Sequence, residues 1–96
     1  MDIRSLSLFQ HLANSLHFGK TAAAYHVSPS TLSRSVQRIE EQLGSQLLIR
    51  DNRSVVLTIE GRKFLAYADQ QIAQFESLKQ SLNQSQRKLS GSLKLY

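Results

Sequence analysis

Hydrogen-bonding side chains recur at one-turn intervals in the first half of the chain. Ser30, Arg34 and Gln37 are three or four residues apart, so they share one face if their segment is helical. Thr31 and Ser33 lie on the flanks of that face. Arginine can bond to guanine, glutamine to adenine, and serine or threonine to a base or a phosphate. We therefore expect these five side chains to contact bases in a DNA major groove.

The helix that must carry this polar set is predicted from its ends and its apolar residues. Its apolar residues form one narrow stripe with steps of four, three and four: Leu32, Val36, Ile39 and Leu43. Ser28 is a suitable N-cap, Pro29 suits the first helical position, and Gly44 suits a C-terminal cap. The pattern predicts a helix over residues 29–43 with its polar side outward.

Positive charge is concentrated near the same segment. The formal net charge is +5, and no acidic residue lies between Asp2 and Glu40. That stretch carries four basic residues: Arg4, Lys20, Arg34 and Arg38. A polyanionic partner is expected, although composition alone does not separate nucleic acid from an anionic membrane. Lys20, Ser28 and Arg38 are expected to contact the DNA backbone.

Two shorter helices are predicted before the polar one. Asp2 is a suitable N-cap for a helix over residues 3–16, which we expect to break at Phe18-Gly19. An alanine-rich helix over residues 20–25 follows, and a tight turn at residues 26–28 leads into the polar helix. This order is typical of a helix-turn-helix.

A change of period after residue 46 predicts a hairpin. The pattern indicates strand, turn and strand over residues 47–50, 51–54 and 55–58. Arg50 and Arg53 are placed at its tip and are expected to enter an adjacent minor groove, whereas Asn52 is interpreted as an exposed turn residue. The predicted fold is mainly α: a winged helix-turn-helix of three helices and a two-stranded wing, followed by a long helix.

The long helix is predicted to start after Thr58, its N-cap, and to run from Ile59 to near Gln86. It carries an almost regular apolar seam: Leu65, Ala68, Ile72, Phe75, Leu78 and Leu82. Lys79 interrupts the seam. A second copy of the chain is the simplest partner, so we expect a homodimer. Packing on its own domain is an alternative for residues 64–68, and an amphipathic membrane helix is another.

The sequence divides into three predicted segments. Residues 1–58 form the DNA-binding domain, and residues 59–88 form the linker and dimerisation helix. Residues 89–96 are interpreted as a hinge and the start of a missing effector-binding domain. This is because Ser90-Gly91-Ser92 resembles a linker and the last four residues alternate like a strand.

Several classes of protein are disfavoured by the residues present. There is no cysteine, and His11, His17 and His26 lack a compact ligand spacing, so no metal site is expected. No catalytic residues are predicted, because the sequence shows no nucleophile elbow, phosphate-binding glycine loop or carboxylate pair. We expect a non-enzymatic protein with no cofactor in this segment. Without a signal peptide or a membrane span, a bacterial cytoplasmic, nucleoid-associated location is expected.

The residues from Phe18 to Gly44, continued by Gln46–Arg50 and Leu57–Gly61, resemble the LysR-type transcriptional regulators. The resemblance implies major-groove contacts at a set of five positions: Ser30, Thr31, Ser33, Arg34 and Gln37. It also implies a minor-groove contact by Arg53 and pairing of the fourth helix with that of a second subunit. A small-molecule inducer would bind only to the missing C-terminal domain, which would help to form tetramers.

Within that family, residues 27–34 and 50–53 are most similar to activators of the isoleucine–valine pathway, which control the acetohydroxyacid isomeroreductase gene. The resemblance thus implies an activator of branched-chain amino acid biosynthesis that binds an inverted-repeat operator in double-stranded DNA as a dimer. The family often has glutamine at the positions of Ser28 and Ser35, so the preferred half-site is expected to differ. The alternative is a winged helix used as a protein-interaction or adaptor module.

Overall fold

The computed structural model describes the backbone of residues 1–51 and 53–94 and the side chains of residues 1–51 and 53–84. The elements follow in the order α1 (Ile3–Ser15), α2 (Phe18–Ala24), α3 (Pro29–Leu43), β1 (Leu48–Arg50), β2 (Val55–Leu57) and α4 (Ile59–Lys94). The two strands are antiparallel, with Leu48 paired to Leu57 and Arg50 to Val55. The predicted mainly helical fold with a two-stranded wing and a long final helix is confirmed.

Three of the helices begin at the predicted N-caps. The carboxylate of Asp2 accepts from the Ser5 N–H at 2.8 Å, and the Ser28 hydroxyl accepts from the Thr31 N–H at 3.1 Å. Thr58 Oγ1 accepts from the N–H of residue 61 at 2.9 Å. Each side chain thus satisfies a first-turn N–H that has no partner within its helix.

The break between α1 and α2 differs from the prediction. Leu16 takes a left-handed conformation with φ of 52°, and its N–H donates to the Leu12 carbonyl. His17 then caps α2 by accepting from the Lys20 N–H at 3.1 Å. Phe18 and Gly19, predicted to interrupt the helices, are therefore the first residues of α2. A leucine in this conformation and a histidine cap are uncommon, so the usual sequence signals for helix ends missed them.

The core joins α1, α3, the start of the wing and the first turns of α4. Phe9, Leu12, Leu32 and Leu47 are all fully or almost fully buried. The rings of Phe9 and Phe64 meet edge to face, with centroids 4.9 Å apart, so α1 supports α4 directly. Leu43, predicted in the buried stripe of α3, is 43% exposed because it is the last residue of that helix, at the rim of the core.

A row of polar contacts lies between α1 and α2. Thr21 is fully buried, and its hydroxyl bonds to His11 Nδ1 at 2.6 Å and to the Ser15 hydroxyl at 3.0 Å. The Tyr25 hydroxyl donates to the Ser7 carbonyl at 3.1 Å. Because these polar atoms are paired, α2 can pack on α1 without leaving a buried donor or acceptor unsatisfied.

The final helix is longer than predicted. α4 has 36 residues and continues to Lys94, through the Ser90–Ser92 stretch that was interpreted as a linker. One glycine costs a helix only about 1 kcal/mol relative to alanine, which is too little to end an established helix. Residues 95 and 96 of the predicted hinge lie outside the described residues. The division into three segments stays a prediction.

The described ranges, residues 1–51 and 53–94, include no helix that combines the length and the apolar character required of a membrane span.

Gly61 is the position at which we expect substitution to damage the fold most clearly. A Cβ atom there would lie 2.1 Å from the Leu47 carbonyl oxygen, which already accepts from the Thr58 N–H. The oxygen cannot retreat without loss of that bond. Gly61→Ala should therefore destabilise the protein by about 1–3 kcal/mol, measured by chemical denaturation.

Gly19→Ala is the matched control. The nearest atom to a new Cβ at Gly19 is in the His17 ring, at 3.0 Å; this ring caps α2, but a shift of a few tenths of an ångström relieves the contact. Alanine also gains helix propensity over glycine. Equal losses of stability at the two glycines would contradict the assigned close contact.

Candidate nucleic-acid interface

The polar side of α3 is held outward by its buried stripe. Leu32, Val36 and Ile39 are at most 5% exposed, so the helix cannot rotate about its axis without exposing them. The side chains predicted to read and grip DNA are exposed on the remaining surface: Ser30, Thr31, Arg34, Gln37 and Arg38. The structure thus brings these five predicted residues onto one accessible face.

Hydroxyl groups are linked at the start of this face. Ser28, besides capping α3, donates to Thr31 Oγ1 at 2.9 Å and lies 3.2 Å from the Ser30 hydroxyl. These contacts occupy the hydroxyl of Ser28. A phosphate contact by Ser28, as predicted, would have to replace one of them and stays a prediction.

The turn before α3 fixes its direction. His26 has a φ of 56°, and the next residue, Val27, donates its N–H to the Ala22 carbonyl at 3.0 Å. Val27 packs against the hydrophobic core. This is the tight turn predicted at residues 26–28, and it joins the two helices of the helix-turn-helix.

The turn of the wing is organised by one carboxylate. Asp51 Oδ1 accepts from the N–H groups of Arg53 at 2.8 Å and Ser54 at 2.7 Å, and the Ser54 hydroxyl adds a third bond. These bonds, first that from Arg53, lower the pKa of Asp51 below its ordinary value of 3.8. Arg53 is exposed within this turn, where the prediction placed it, whereas Asn52 lies outside the described residues.

Arg50 lies at the end of β1, next to the turn, but its side chain does not extend from the tip of the wing, and the minor-groove contact predicted for it stays a prediction. Its guanidinium donates to Ser33 Oγ at 2.6 Å and stacks on the Phe18 ring, 4.2 Å from the centroid. Arg50 is the last residue of β1 and is paired with Val55, so it precedes the turn instead of belonging to it. Its side chain therefore points toward α3 and α2. Ser33, predicted to contact a base, is half-buried beneath it.

A polar groove separates α3 from β1. Ser33 and Gln37 line its helical side, and Gln46 and Arg50 line the other. Sequence reasoning did not identify this groove, because it depends on how the wing packs on α3. Phe18 was also missed as a member of the site, although an aromatic residue near a cluster of arginines is a possible signal for stacking.

One glutamate connects α3 to the wing. Glu40 Oε2 accepts from the N–H groups of Leu47 at 2.7 Å and Leu48 at 3.3 Å. The carboxylate therefore binds the backbone at the start of the wing, and it fixes the separation between α3 and β1.

The predicted dimer residues divide into two groups. Ala68 is fully buried against its own domain, so it has no surface to offer a partner and must be removed from the predicted interface. Leu65 and Ile72 are half-buried and pack against the same core. Phe75, Leu78 and Leu82 are 38%, 53% and 52% exposed, on the part of α4 beyond the core.

The three histidines have separate places in the fold. His11 bonds to Thr21, His17 caps α2, and His26 forms the turn before α3. Within the part of the chain that the structure describes, no group of three or more histidine or acidic side chains could hold a metal ion.

Comparison with known proteins assigns the chain to a family. Residues 3–62 match the family described as "Bacterial regulatory helix-turn-helix protein, lysR family". The chain belongs to the LysR family. The match begins with α1 and ends in the first turn of α4, so it covers the whole winged helix-turn-helix.

Several curated relatives match this chain over its full length. The HTH-type transcriptional activator IlvY of Salmonella typhimurium is 50% identical over 96 residues, which are 32% of its own length. The HTH-type transcriptional regulator IlvY of Escherichia coli K12 is 49% identical over the same length. The chain thus spans about a third of the length of the curated relatives it matches.

Solved structures share the fold. A full-length OxyR variant from Pseudomonas aeruginosa matches 88% of this chain and 28% of its own, with 33% identity and a TM-score of 0.80. The BenM DBD in complex with benA site 1 DNA matches 95% of this chain and 99% of its own, with 35% identity and a TM-score of 0.76.

The wing turn is expected to depend on the ionisation of Asp51. The pKa of the Asp51 carboxyl lies below 3.8 in the folded protein. The stability that its ionised form contributes is therefore fully present above pH 3.8, and it is lost as the pH falls through the lowered pKa. Asp51→Asn should therefore be less stable than the unchanged protein near neutral pH, and the difference should shrink in acid. Denaturation at several pH values measures it; a difference independent of pH would contradict the assignment.

Proposed function

We propose that this chain is the sequence-specific DNA-binding module of a transcription regulator. The observation that carries the proposal is the exposed polar face of α3 beside a wing, on a helix whose other side is locked in the core. The LysR-family relatives are transcription regulators by name, and the matched BenM structure is a complex with DNA. Both support the proposal.

Base discrimination is assigned to the middle of α3. Arg34 and Gln37 are exposed one turn apart, and their side chains can form paired hydrogen bonds with guanine and adenine respectively. Ser30 and Thr31, at the start of the helix, are short enough to let the backbone approach the bases. Ser33 Oγ accepts from Arg50, which leaves the Ser33 hydroxyl hydrogen to donate to DNA.

Contacts to the DNA backbone are assigned to the edges of the face. Arg38 lines a second groove, beside Asp2 and Ser5 at the start of α1, and Gln37 lies toward the wing. Arg38 is thus at the border of the reading face, where a phosphate would pass. Lys20, exposed in the first turn of α2, has the same role, and exposed Arg53 in the wing turn enters the minor groove.

The second part of the proposal is a homodimer through α4. Phe75, Leu78 and Leu82 recur at steps of three and four and remain exposed in a single chain. Contact with the same residues of a second copy would remove this apolar stripe from water. Two copies of α3 could then enter successive major grooves of an inverted repeat, about 34 Å apart.

Lys79 interrupts the apolar seam without preventing this pairing. Its ammonium lies 3.8 Å from the Glu76 carboxylate and 5.5 Å from the centre of the Phe75 ring. The charge is thus directed to one side, and the aliphatic stem of Lys79 can cover apolar surface.

The remaining parts of the proposal concern the whole regulator. Similarity to the IlvY proteins supports activation of branched-chain amino acid biosynthesis, with the acetohydroxyacid isomeroreductase gene as the expected target. A small-molecule inducer would bind outside this segment, for which we propose neither a cofactor nor catalysis. A cytoplasmic location and a full-length tetramer complete the proposal.

Footprinting of the full-length protein upstream of that gene tests the function. We expect protection of an inverted repeat, with binding that weakens as salt rises because phosphate contacts release counterions. Binding of equal strength to random duplexes would contradict specific reading. No salt-sensitive binding to any duplex would favour the protein-interaction alternative.

Arg34→Ala should weaken binding to the operator more than binding to random DNA. The lost contact should reduce discrimination by about 1–3 kcal/mol, because base contacts specify and phosphate contacts do not. Fluorescence anisotropy with both duplexes measures the ratio of affinities. Arg38→Ala is the matched control, since its loss should be similar on both duplexes. Equal losses for Arg34→Ala on the two DNAs would refute its role.

Phe75→Glu or Leu82→Glu should convert the 96-residue dimer into monomers. Either change places charge in the proposed apolar contact between two copies of α4. Ser77→Glu is the control, because at 100° per residue it lies 200° around the helix from Phe75. Sedimentation should detect monomers only for the seam variants. Dimers that persist in both seam variants would exclude this interface.

A further inference from the structure

Arg50 is the residue of the interface whose observed position is not explained by its predicted role. Its guanidinium is held between the wing and the helices, above the Phe18 ring and next to the Ser33 hydroxyl. The aromatic ring and the hydroxyl come from α2 and α3, so three elements of the fold meet at this side chain. Stacking on the ring and the bond to the hydroxyl together restrict the orientation of the planar guanidinium.

The groove beside Arg50 lies where a DNA strand would have to pass. If α3 occupies a major groove and the wing tip an adjacent minor groove, one sugar-phosphate strand separates the two. That strand must cross between α3 and β1. The groove there has a volume of about 280 Å³ and is lined by polar side chains that include Ser33, Gln37 and Gln46.

The positive charge of the Arg50 guanidinium in this groove is suited to a phosphate. Arginine has five N–H groups in a planar fork, and the bond from Arg50 to Ser33 uses one of them. The Arg50 side chain is exposed, so the others can reach a ligand. The Glu40 carboxylate also lies in this groove, but it accepts from the backbone N–H groups of Leu47 and Leu48.

We propose that Arg50 binds a phosphate of the DNA strand that crosses between α3 and the wing, and that Phe18 and Ser33 position its guanidinium for this contact. The inference rests on the proposed DNA-binding function. It assigns Arg50 to the backbone in place of the minor groove. A side chain held in its binding orientation loses less conformational freedom on binding, which makes the contact stronger.

The salt dependence of binding distinguishes a phosphate contact from a structural role. The full-length Arg50→Gln protein should bind both operator and random DNA about tenfold more weakly, and the slope of log K against log salt should fall by about 0.9 per half-site. Arg50→Lys should restore the slope but not the full affinity, since lysine keeps the charge without the planar fork. Phe18→Leu should weaken binding with the slope unchanged.

Lys63→Gln is the matched control for charge. Lys63 is exposed beside Leu43, at the other end of α3 from Ser33, so its removal should leave the slope nearly unchanged. If Arg50→Gln keeps the slope of the unchanged protein, or loses affinity only on the operator, the phosphate assignment is overturned.

A duplex with single neutral methylphosphonates provides the decisive measurement. The unchanged protein should lose about tenfold in affinity at one phosphate of each half-site, and Arg50→Gln should lose nothing further at that same phosphate. Additive losses at every phosphate would refute the contact. If the unchanged protein itself does not prefer the operator, the proposed function fails instead, so the two failures are distinguishable.

Discussion

The burial of one side of α3 is the constraint on which the interface depends. Leu32, Val36 and Ile39 are inserted into the core, and the rotation of the helix is thereby fixed. Arg34 and Gln37 face outward because no other orientation of the helix keeps these apolar side chains away from water. Removal of apolar surface from water, a force without chemical selectivity, thus sets the orientation of the side chains that provide selectivity.

Polar contacts between elements refine this arrangement. Thr21 joins α2 to α1, and Glu40 joins α3 to the start of the wing. Arg50 connects the wing to both α2 and α3 through Phe18 and Ser33. The wing has only two short strands, which are marginal in isolation, so these contacts and its packing on the core hold it beside α3.

The apolar stripe of α4 serves two purposes along its length. Near its start, Phe64 and Ala68 are buried in the core of their own domain. Beyond Ile72 the helix leaves the domain, and Phe75, Leu78 and Leu82 stay exposed. Periodicity predicted one interface along the stripe and left packing on the own domain open for residues 64–68, because a heptad pattern does not record which other helix covers each residue.

The sequence by itself determined the helices, three of their N-caps, the polar face of α3 and the family, because these depend on local spacing and residue type. The start of α2 at Phe18 is also local, but its signals, a left-handed Leu16 and a histidine cap, are uncommon. Only the tertiary structure decided the burial of Ala68 and the position of Arg50 against Ser33. Those features arise where residues distant in sequence meet. Which contact such a side chain makes depends on how distant segments pack together, and the local sequence pattern does not specify that packing.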